Sequence, residues 1–303
     1  MTNIHTLDTH FQDTPLTIAN YILESSDGLV LIETGPGSIV KNLPQAFAEA
    51  GLGMEDVRHV FVTHIHLDHA GAAGWWAQKG ARVYVHHIGA PHLLDPSRLM
   101  ASATRIYGEA MDRLWGDMLP VPAEQLTELF DGDVVQIGDL MVRALDTPGH
   151  ARHHMTFVVD GVAFTGDVAG VHVPGTVLID LPAPPPEFDW EAWQKSLNRL
   201  RQEALSALYL THFGRVDEDV EGYLDRFEQV IVSGMNFVRD CLVADMDRDE
   251  IVASYLRRDR QLALDAGLSM EAIAQYEVAN PPTMSVDGMI RYWRKKWERE
   301  GKS

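Results

Sequence analysis

Thr63-His64-Ile65-His66-Leu67-Asp68-His69 is the stretch of this 303-residue chain that decides its fold. It places three imidazoles and one carboxylate close together, directly after the apolar run Val60-Phe61-Val62. A run rich in β-branched and aromatic residues predicts a buried strand, and the small residues at 70–74 predict the closely packed start of a helix. We therefore expect these polar side chains on a loop that leads from a strand into a helix.

The spacing of these polar groups favours metal binding. In extended backbone alternate side chains point to the same side, so His64, His66 and Asp68 can converge, and the turn into the helix brings His69 beside Asp68. Imidazole and carboxylate are ligands that zinc prefers, and so dense a cluster is costly to bury without a cation. A lone histidine at a strand end is usually solvated or hydrogen-bonded, but four such groups in this order predict a metal site.

Three later positions are candidate ligands as well. His150 follows the turn residues Thr147-Pro148-Gly149, and Asp167 and His212 each end a predicted strand. Each has an ordinary alternative, such as a simple turn or an aspartate that caps the next segment. Because all three come at the ends of predicted strands, they support one another as ligands.

These segments resemble the motifs of the metallo-β-lactamase superfamily, and in particular its glyoxalase II and lactonase-like branch. The family signature His-x-His-x-Asp-His is matched at every position from His64 to His69. Segment 29–37 is similar to the family's first motif, with Glu33 where the family usually has aspartate. The likeness covers roughly residues 15 to 215. Three later segments resemble further family motifs: Asp146-Thr147-Pro148-Gly149-His150, Thr165-Gly166-Asp167 and Thr211-His212-Phe213-Gly214.

The resemblance implies an α/β fold, a four-layer αββα sandwich, and two divalent metal ions, zinc first with manganese or iron as alternatives. It implies one metal held by His64, His66 and His150, a second held by Asp68, His69 and His212, and Asp167 bridging them. A hydroxide shared by the two ions would attack a small ester, thioester or lactone. Asp68 would take part in proton transfer, and Glu33 would support the ligand loop.

Other activities within the superfamily remain open or are disfavoured by particular residues. A persulfide dioxygenase with a single iron, and a protein that holds metal without turnover, are the alternatives. Hydroxyacylglutathione hydrolases carry glycine- and arginine-rich residues where this chain has 168–174, and acyl-homoserine lactonases usually carry a nearby tyrosine where it has Gly170. His66 disfavours flavodiiron-type carriers. His172 is a candidate substrate contact or an ordinary strand histidine.

Composition sets the remaining expectations. A hydrophobic content of 46% can fill a large core, and a net charge of -19 opposes nucleic-acid binding, so we expect a small-molecule substrate. The basic stretch 291–297 is predicted to form an amphipathic terminal helix. Neither a signal peptide nor an apolar run of about 18 residues is present, which predicts a cytoplasmic protein without a membrane span. The single cysteine, Cys241, excludes an internal disulfide.

The chain is predicted to comprise a catalytic domain (1–215), with a helical insertion at 88–125, and a helical extension (216–303). The insertion is either part of the core or a lid over the metals, and its Tyr107 and Trp115 are candidate substrate-contacting or ligand-supporting residues. The proline-rich segment 181–187 is predicted to run extended. The extension could supply substrate specificity, a homodimer contact, or both.

Overall fold

Two six-stranded sheets form the centre of the computed structural model, which describes residues 2–216 and 219–301. The first sheet contains, in spatial order, β1 (Ile4–Asp8), β2 (Ala19–Ser25), β3 (Gly28–Ile32), β4 (Val57–Phe61), β5 (Arg82–His86) and β6 (Leu126–Leu129). The second contains β7 (Val134–Ile137), β8 (Leu140–Asp146), β9 (Met155–Val159), β10 (Val162–Gly166), β11 (Ala207–Leu210) and β12 (Gly214–Val216), again in sequential order. Strands β3 to β6 are parallel, as are β10 and β11.

The two sheets face each other across a buried aromatic core. Phe61 of β4 stacks on Tyr84 of β5 with ring centroids 4.2 Å apart, and it meets Phe157 of β9 edge to face at 5.2 Å. Offset-stacked and edge-to-face rings add to the stability that burial of their apolar area provides. This contact joins the two inner faces of the sandwich.

Helices cover both outer faces. The first half of the chain contributes α1 (Leu43–Glu49), α2 (Leu67–Ala70), α3 (Ala73–Gln78), α4 (Ala90–Leu94), α5 (Ser97–Tyr107) and α6 (Met111–Leu114). The second half contributes α7 (Trp190–Gln202), α8 (Val220–Val243), α9 (Arg248–Asp265), α10 (Met270–Ala279) and α11 (Pro282–Glu300). Separate apolar clusters lie under each set, so the predicted αββα layering and the helical C-terminal region are confirmed.

The helical insertion packs on the core of the first sheet. Ala103 and Met111 are buried there, whereas Ile106 remains 55% exposed. The extended chain after α6 passes close to α3, because a Cβ at Gly74 would lie 1.9 Å from the carbonyl oxygen of Leu119. Only glycine allows this approach of backbone to backbone.

Some element boundaries differ from the sequence-based expectations. The helical extension is predicted to begin at residue 216, but this residue ends β12, whose backbone pairs with β11. Strands β1 and β6 were not expected, because exposed polar residues interrupt their short apolar patterns. The domain division near residue 215 stays a prediction, and residues 1, 217, 218, 302 and 303 lie outside the described part.

Within the described ranges, the structure contains no helix that combines the length and apolar character needed to cross a membrane. Cys241 is buried on α8, consistent with ordinary packing. On α11 the tyrosine of the basic stretch, Tyr292, is buried and Arg291 is exposed, as an amphipathic helix requires.

Candidate metal centre

The candidate ligands lie where strands of both sheets end. His64 and His66 follow β4 in the loop that enters α2, Asp68 and His69 lie in α2 itself, and the segment bearing His150 follows β8. Asp167 comes directly after β10, and His212 comes two residues after the end of β11. Since these strand ends meet at one edge of the sandwich, side chains far apart in sequence converge there.

Three histidines form one side of the cluster. The Nδ1 atom of His66 lies 2.9 Å from Nε2 of His64 and 2.8 Å from Nε2 of His150. His64 and His150 are buried, whereas His66 is half-buried. The three ligand atoms lie close enough together to hold a single ion.

Asp68, His69 and His212 form the other side. Oδ2 of Asp68 lies 3.6 Å from Nε2 of His69 and 3.3 Å from Nε2 of His212. Both histidines are buried, and the Asp68 side chain retains 22% of its exposure. These three ligand atoms also lie close enough together to hold one ion.

Asp167 lies between the two groups and directs one oxygen toward each. Its Oδ1 is 3.3 Å from Nε2 of His69 and 3.6 Å from Nε2 of His212. Its Oδ2 is 3.2 Å from Nε2 of His150. The carboxylate is therefore placed to contact two cations at once. The structure brings together all seven residues that the sequence predicted as ligands: His64, His66, Asp68, His69, His150, Asp167 and His212.

Hydrogen bonds on the far side of the rings fix which nitrogen faces the centre. Nδ1 of His150 donates to the carbonyl oxygen of Pro182 at 2.8 Å, and Nδ1 of His212 donates to that of Thr17 at 2.7 Å. Nδ1 of His69 donates to Oε1 of Glu33 at 2.9 Å. Each bond leaves the lone pair of Nε2 directed at the centre, as a metal-binding histidine requires.

Glu33 supports the ligand loop although the family usually has aspartate at this position. Its Oε1 accepts hydrogen bonds from the hydroxyls of Thr63 and Thr211 as well as from His69, at 2.5, 3.0 and 2.9 Å. Because Thr63 donates its hydroxyl proton to Glu33, its oxygen accepts the Nδ1 proton of His64 at 3.0 Å. One buried carboxylate thus orients two ligands.

The electrostatics of the site suit a cation. Burial lowers the pKa of His66 to about 3, and burial also lowers the pKa of His64 well below its usual range, so both rings are neutral. Burial would raise the pKa of Asp167, but His69 and His150 outweigh it and lower the pKa well below normal. Burial opposes protonation of His69, yet Asp167, Asp68 and Glu33 together raise its pKa. The centre is therefore built around ionised carboxylates.

Two buried atoms show that the site fits metal. Nε2 of His69 and Oδ1 of Asp167 are 3.3 Å apart, and neither makes a well-aligned hydrogen bond to any residue in the described ranges. Buried polar atoms in proteins are nearly always satisfied, so a pair like this needs another partner. A divalent cation accepts both a neutral imidazole and a carboxylate, and the surrounding donor set is nitrogen and oxygen only.

The other predicted site residues take different positions. Tyr107 ends α5, and burial together with the Asp68 charge raises the pKa of its phenol to about 12. Trp115 packs against Tyr107 at 5.1 Å and stacks on Phe11 at 5.7 Å. His172 approaches the site through its backbone, because its N–H donates to the carbonyl oxygen of His212 at 2.5 Å.

Two histidines at the site were missed from the sequence. Nε2 of His154 accepts the backbone N–H of Asp167 at 3.2 Å, and Nδ1 of His154 contacts the Thr147 hydroxyl at 3.0 Å. His153 is buried beside His66, with ring centroids 5.7 Å apart, and its Nε2 lies 3.3 Å from Glu187. Both histidines follow His150 closely, in a turn that was already predicted to supply a metal ligand, and this position could have identified them from the sequence.

Comparison with known proteins agrees with this geometry. Residues 13–212 match the family model of the metallo-β-lactamase superfamily, and the chain belongs to this superfamily. A metallo-β-lactamase fold-containing protein of Sulfurisphaera tokodaii is 28% identical over 171 residues, which are 55% of this chain and 64% of that protein. An atrochrysone carboxyl ACP thioesterase of Aspergillus fumigatus is 26% identical over 229 residues, 73% of this chain and 60% of the relative. The chain thus spans less than two thirds of these curated relatives.

Solved structures share the fold. A metallo-β-lactamase family protein from Thermus thermophilus superposes with a TM-score of 0.68 at 20% identity, covering 97% of this chain and 93% of its own. An archaeal superfamily protein from Sulfolobus tokodaii gives a TM-score of 0.62 at 22% identity, covering 77% and 87%. The superfamily predicted from the sequence is confirmed, and its glyoxalase II and lactonase-like branch stays a prediction.

Proposed function

We propose that this protein is a metal-dependent hydrolase that cleaves a small ester, thioester or lactone with two divalent ions. Zinc is the first candidate and manganese or iron are the alternatives, since the ligands are imidazole and carboxylate. The observation that carries the proposal is Asp167, whose two oxygens face two different ligand groups. A carboxylate with one oxygen toward each ligand group has the arrangement that a bridge between two ions requires.

A pair of bound divalent ions supplies Lewis acidity and lowers the pKa of water, so that a nucleophile is available at neutral pH. The protein itself contributes first by orienting the side chains that bind the metal ions. His150 and His212 are held by backbone carbonyl oxygens, and His69 is held by Glu33. Preorganised ligands of this kind need no rearrangement when the substrate reacts.

Asp68 is the residue proposed to move the proton. Burial alone would raise its pKa, but His69 and His212 hold it well below the usual range, so the carboxyl group is ionised. Its side chain is partly exposed, unlike those of His69 and Asp167. Because Oδ2 faces the ligand histidines, Oδ1 would take the proton from the attacking water and pass it to the leaving oxygen or sulfur.

The helical insertion supplies two further candidate substrate contacts, Tyr107 and Trp115. The phenol of Tyr107 stays neutral, because burial and the Asp68 charge raise its pKa to about 12, and it can therefore donate a hydrogen bond to a substrate oxygen. Beside it, Trp115 presents an aromatic surface. An apolar surface with one polar group suits a small acyl substrate. One relative is named as an acyl-carrier thioesterase, which supports the thioester among the three substrate classes.

Metal analysis and a substrate panel test the proposal together. Protein purified without chelator is analysed for metal and assayed with p-nitrophenyl esters, lactones and acyl thioesters. We expect about two ions per chain and turnover of at least one class. His150→Ala removes a ligand and should lower both metal content and turnover, whereas His92→Ala, at a half-buried position on α4, should change neither.

Two outcomes would overturn the hydrolase proposal. One iron per chain with oxygen consumption on a persulfide would assign the protein to the dioxygenase alternative. Full metal content without turnover of any substrate class would favour a protein that only binds metal. Unchanged metal content in His150→Ala would show that the ligand assignment is wrong.

A further inference from the structure

A second cavity, of about 370 Å³, lies in the helical extension between α8, α9, α10 and the segment that follows Asp167. This volume falls within the range of small-molecule sites in proteins. Its walls are mainly apolar and come from three helices and one extended segment. The apolar wall residues are Leu178, Ile179, Val230, Leu256, Ala263 and Ile273.

The extended segment, residues 171–183, is called the strap below. Val171 and Asp180 pair with each other, and the strap reaches the metal centre at two points. The N–H of His172 donates to the carbonyl oxygen of His212, and the carbonyl oxygen of Pro182 accepts from Nδ1 of His150. The strap therefore lines the cavity through residues 177–180 and also contacts the metal ligands His150 and His212.

The polar part of the cavity lining contains Asp180, an acid that has no cationic partner among the described residues. Asp180 accepts hydrogen bonds from Nδ2 of Asn280 at 2.7 Å and from the N–H of Leu181 at 2.8 Å. In the described part of the chain it makes no salt bridge. Burial raises its pKa to about 6, despite these hydrogen bonds. An ionised carboxyl here is stabilised only by neutral donors.

The cations nearby are already engaged elsewhere. Arg258 lies 2.8 Å from Asp259 and 2.7 Å from the Ser233 hydroxyl, and Arg260 pairs with Glu277 at 2.6 Å. Their charges are balanced by acids other than Asp180. Arg226, which also lines the cavity, lies over the Tyr223 ring at 5.7 Å, and within the described ranges no ion pair joins any of the three arginines to Asp180.

The entrance of the cavity is apolar as well. Val177 of the strap and Leu262 of α9 line the cavity and remain 72% and 47% exposed. Exposed aliphatic side chains at the rim of a cavity are typical of sites that accept an apolar ligand. Apolar walls, an apolar entrance and a carboxyl group, Asp180, whose hydrogen bonds come from neutral donors together describe the complement of an amphipathic cation.

We propose that this cavity is a binding site, separate from the metal centre, for a small organic cation that carries an ammonium group on an aliphatic chain. The aliphatic chain lies between α8, α9 and α10, and the ammonium group donates hydrogen bonds to Asp180. Binding neutralises the Asp180 carboxylate. The net charge of -19 further attracts cations to this protein.

Isothermal titration of the full, metal-loaded chain with octylamine, octanol and octanoate tests the site. All three probes share one aliphatic chain, so their differences report the head group. We expect octylamine to bind about tenfold or more tightly than octanoate, with octanol between them. Equal or tighter binding of octanoate would overturn the proposal, as would no detectable binding of octylamine.

Variants locate the site. Asp180→Asn should weaken octylamine about tenfold and leave octanol within about twofold. Ala263→Met fills the apolar chamber and should weaken both probes, while Asp265→Asn, on α9 but outside the cavity, should change neither. If Asp180→Asn does not fold, the comparison of octylamine, octanol and octanoate and the Ala263→Met variant still test whether an amine binds in this cavity. Unchanged octylamine binding in Ala263→Met would mean that the amine binds elsewhere, for example at the metals, and the proposal would be wrong.

Discussion

Asp167 and His69 lie 3.3 Å apart at the centre of the candidate metal site, and the facing atoms of both are buried without a well-aligned hydrogen bond to a described residue. The other oxygen of Asp167 lies 3.2 Å from His150. This one carboxylate therefore connects ligand groups that come from different strands of the sandwich. The metal content of the protein should therefore depend on Asp167.

Asp167→Asn keeps the size of the side chain and removes its charge. We expect metal content to fall from about two ions per chain to one or fewer, because a neutral amide cannot bridge two cations. Elemental analysis of protein purified without chelator measures this. Asp112→Asn, at an exposed position on α6, serves as the matched control. Two ions retained by Asp167→Asn would contradict the bridging role.

Glu33→Gln tests the support of the ligand loop. Oε1 of Glu33 accepts from His69, Thr63 and Thr211, so loss of its charge weakens the orientation of the ligand histidines. We expect metal affinity to drop about 10- to 100-fold. Competition with a chromophoric chelator measures the affinity, and Glu55→Gln, at an exposed position, should behave like the unchanged protein. An unchanged affinity in Glu33→Gln would assign the glutamate no part in metal binding.

Gly149→Ala tests the turn that delivers His150. Gly149 has φ +141, and an added Cβ would lie 2.4 Å from Cα of Trp193. We expect a loss of about 3 kcal/mol in the free energy of unfolding, together with lower metal content. Gly132→Ala is the matched control: its φ is also positive, at +83, but no heavy atom lies within 4 Å, so the cost should be about 1 kcal/mol. Equal losses in both variants would show that crowding against α7 is unimportant.

Tyr276→Phe tests how the extension holds the strap. The Tyr276 hydroxyl accepts the N–H of Val173 at 3.0 Å and donates to the carbonyl oxygen of Leu178 at 2.6 Å. Removing it leaves two strap groups unpaired and should cost about 1–3 kcal/mol in stability. Amide hydrogen exchange should accelerate at Val173 while the amides of β4 keep their protection. Uniform acceleration would indicate global destabilisation instead.

Asp259→Asn tests the acid next to Asp180. Burial and the Asp180 charge raise the pKa of Asp259 to about 7, against the opposing effect of Arg258. An acid whose pKa is higher in the folded chain binds its proton more tightly when folded, so its stabilisation is complete below about pH 4 and is lost as pH rises to about 7.

The wild-type chain should therefore lose more stability than Asp259→Asn between pH 4 and 8, by about 2 kcal/mol after allowance for the partly exposed carboxyl. Urea denaturation at several pH values measures the difference, and comparison with the variant removes the contribution of the other acids. Identical pH profiles would mean that Asp259 titrates with an ordinary pKa.

Local sequence patterns were enough to predict most strands and the ligand types. The run Val60-Phe61-Val62 and the alternating polar groups after it are properties of neighbouring residues, and they predicted the strand, the loop and the metal chemistry. Strands β1 and β6 were not predicted because polar residues interrupt their short apolar patterns, and β12 was not predicted because three residues are too few to form a pattern.

Tertiary structure decided what no local pattern contains. The order of strands in two sheets brings Asp167 between His69 and His150, and it places Glu33 against both threonines that flank the ligand segments. The strap and its cavity likewise arise from contacts between residues about 100 positions apart. Secondary structure follows the periodicity of nearby side chains, whereas a shared site depends on which distant strand ends the folded core brings together.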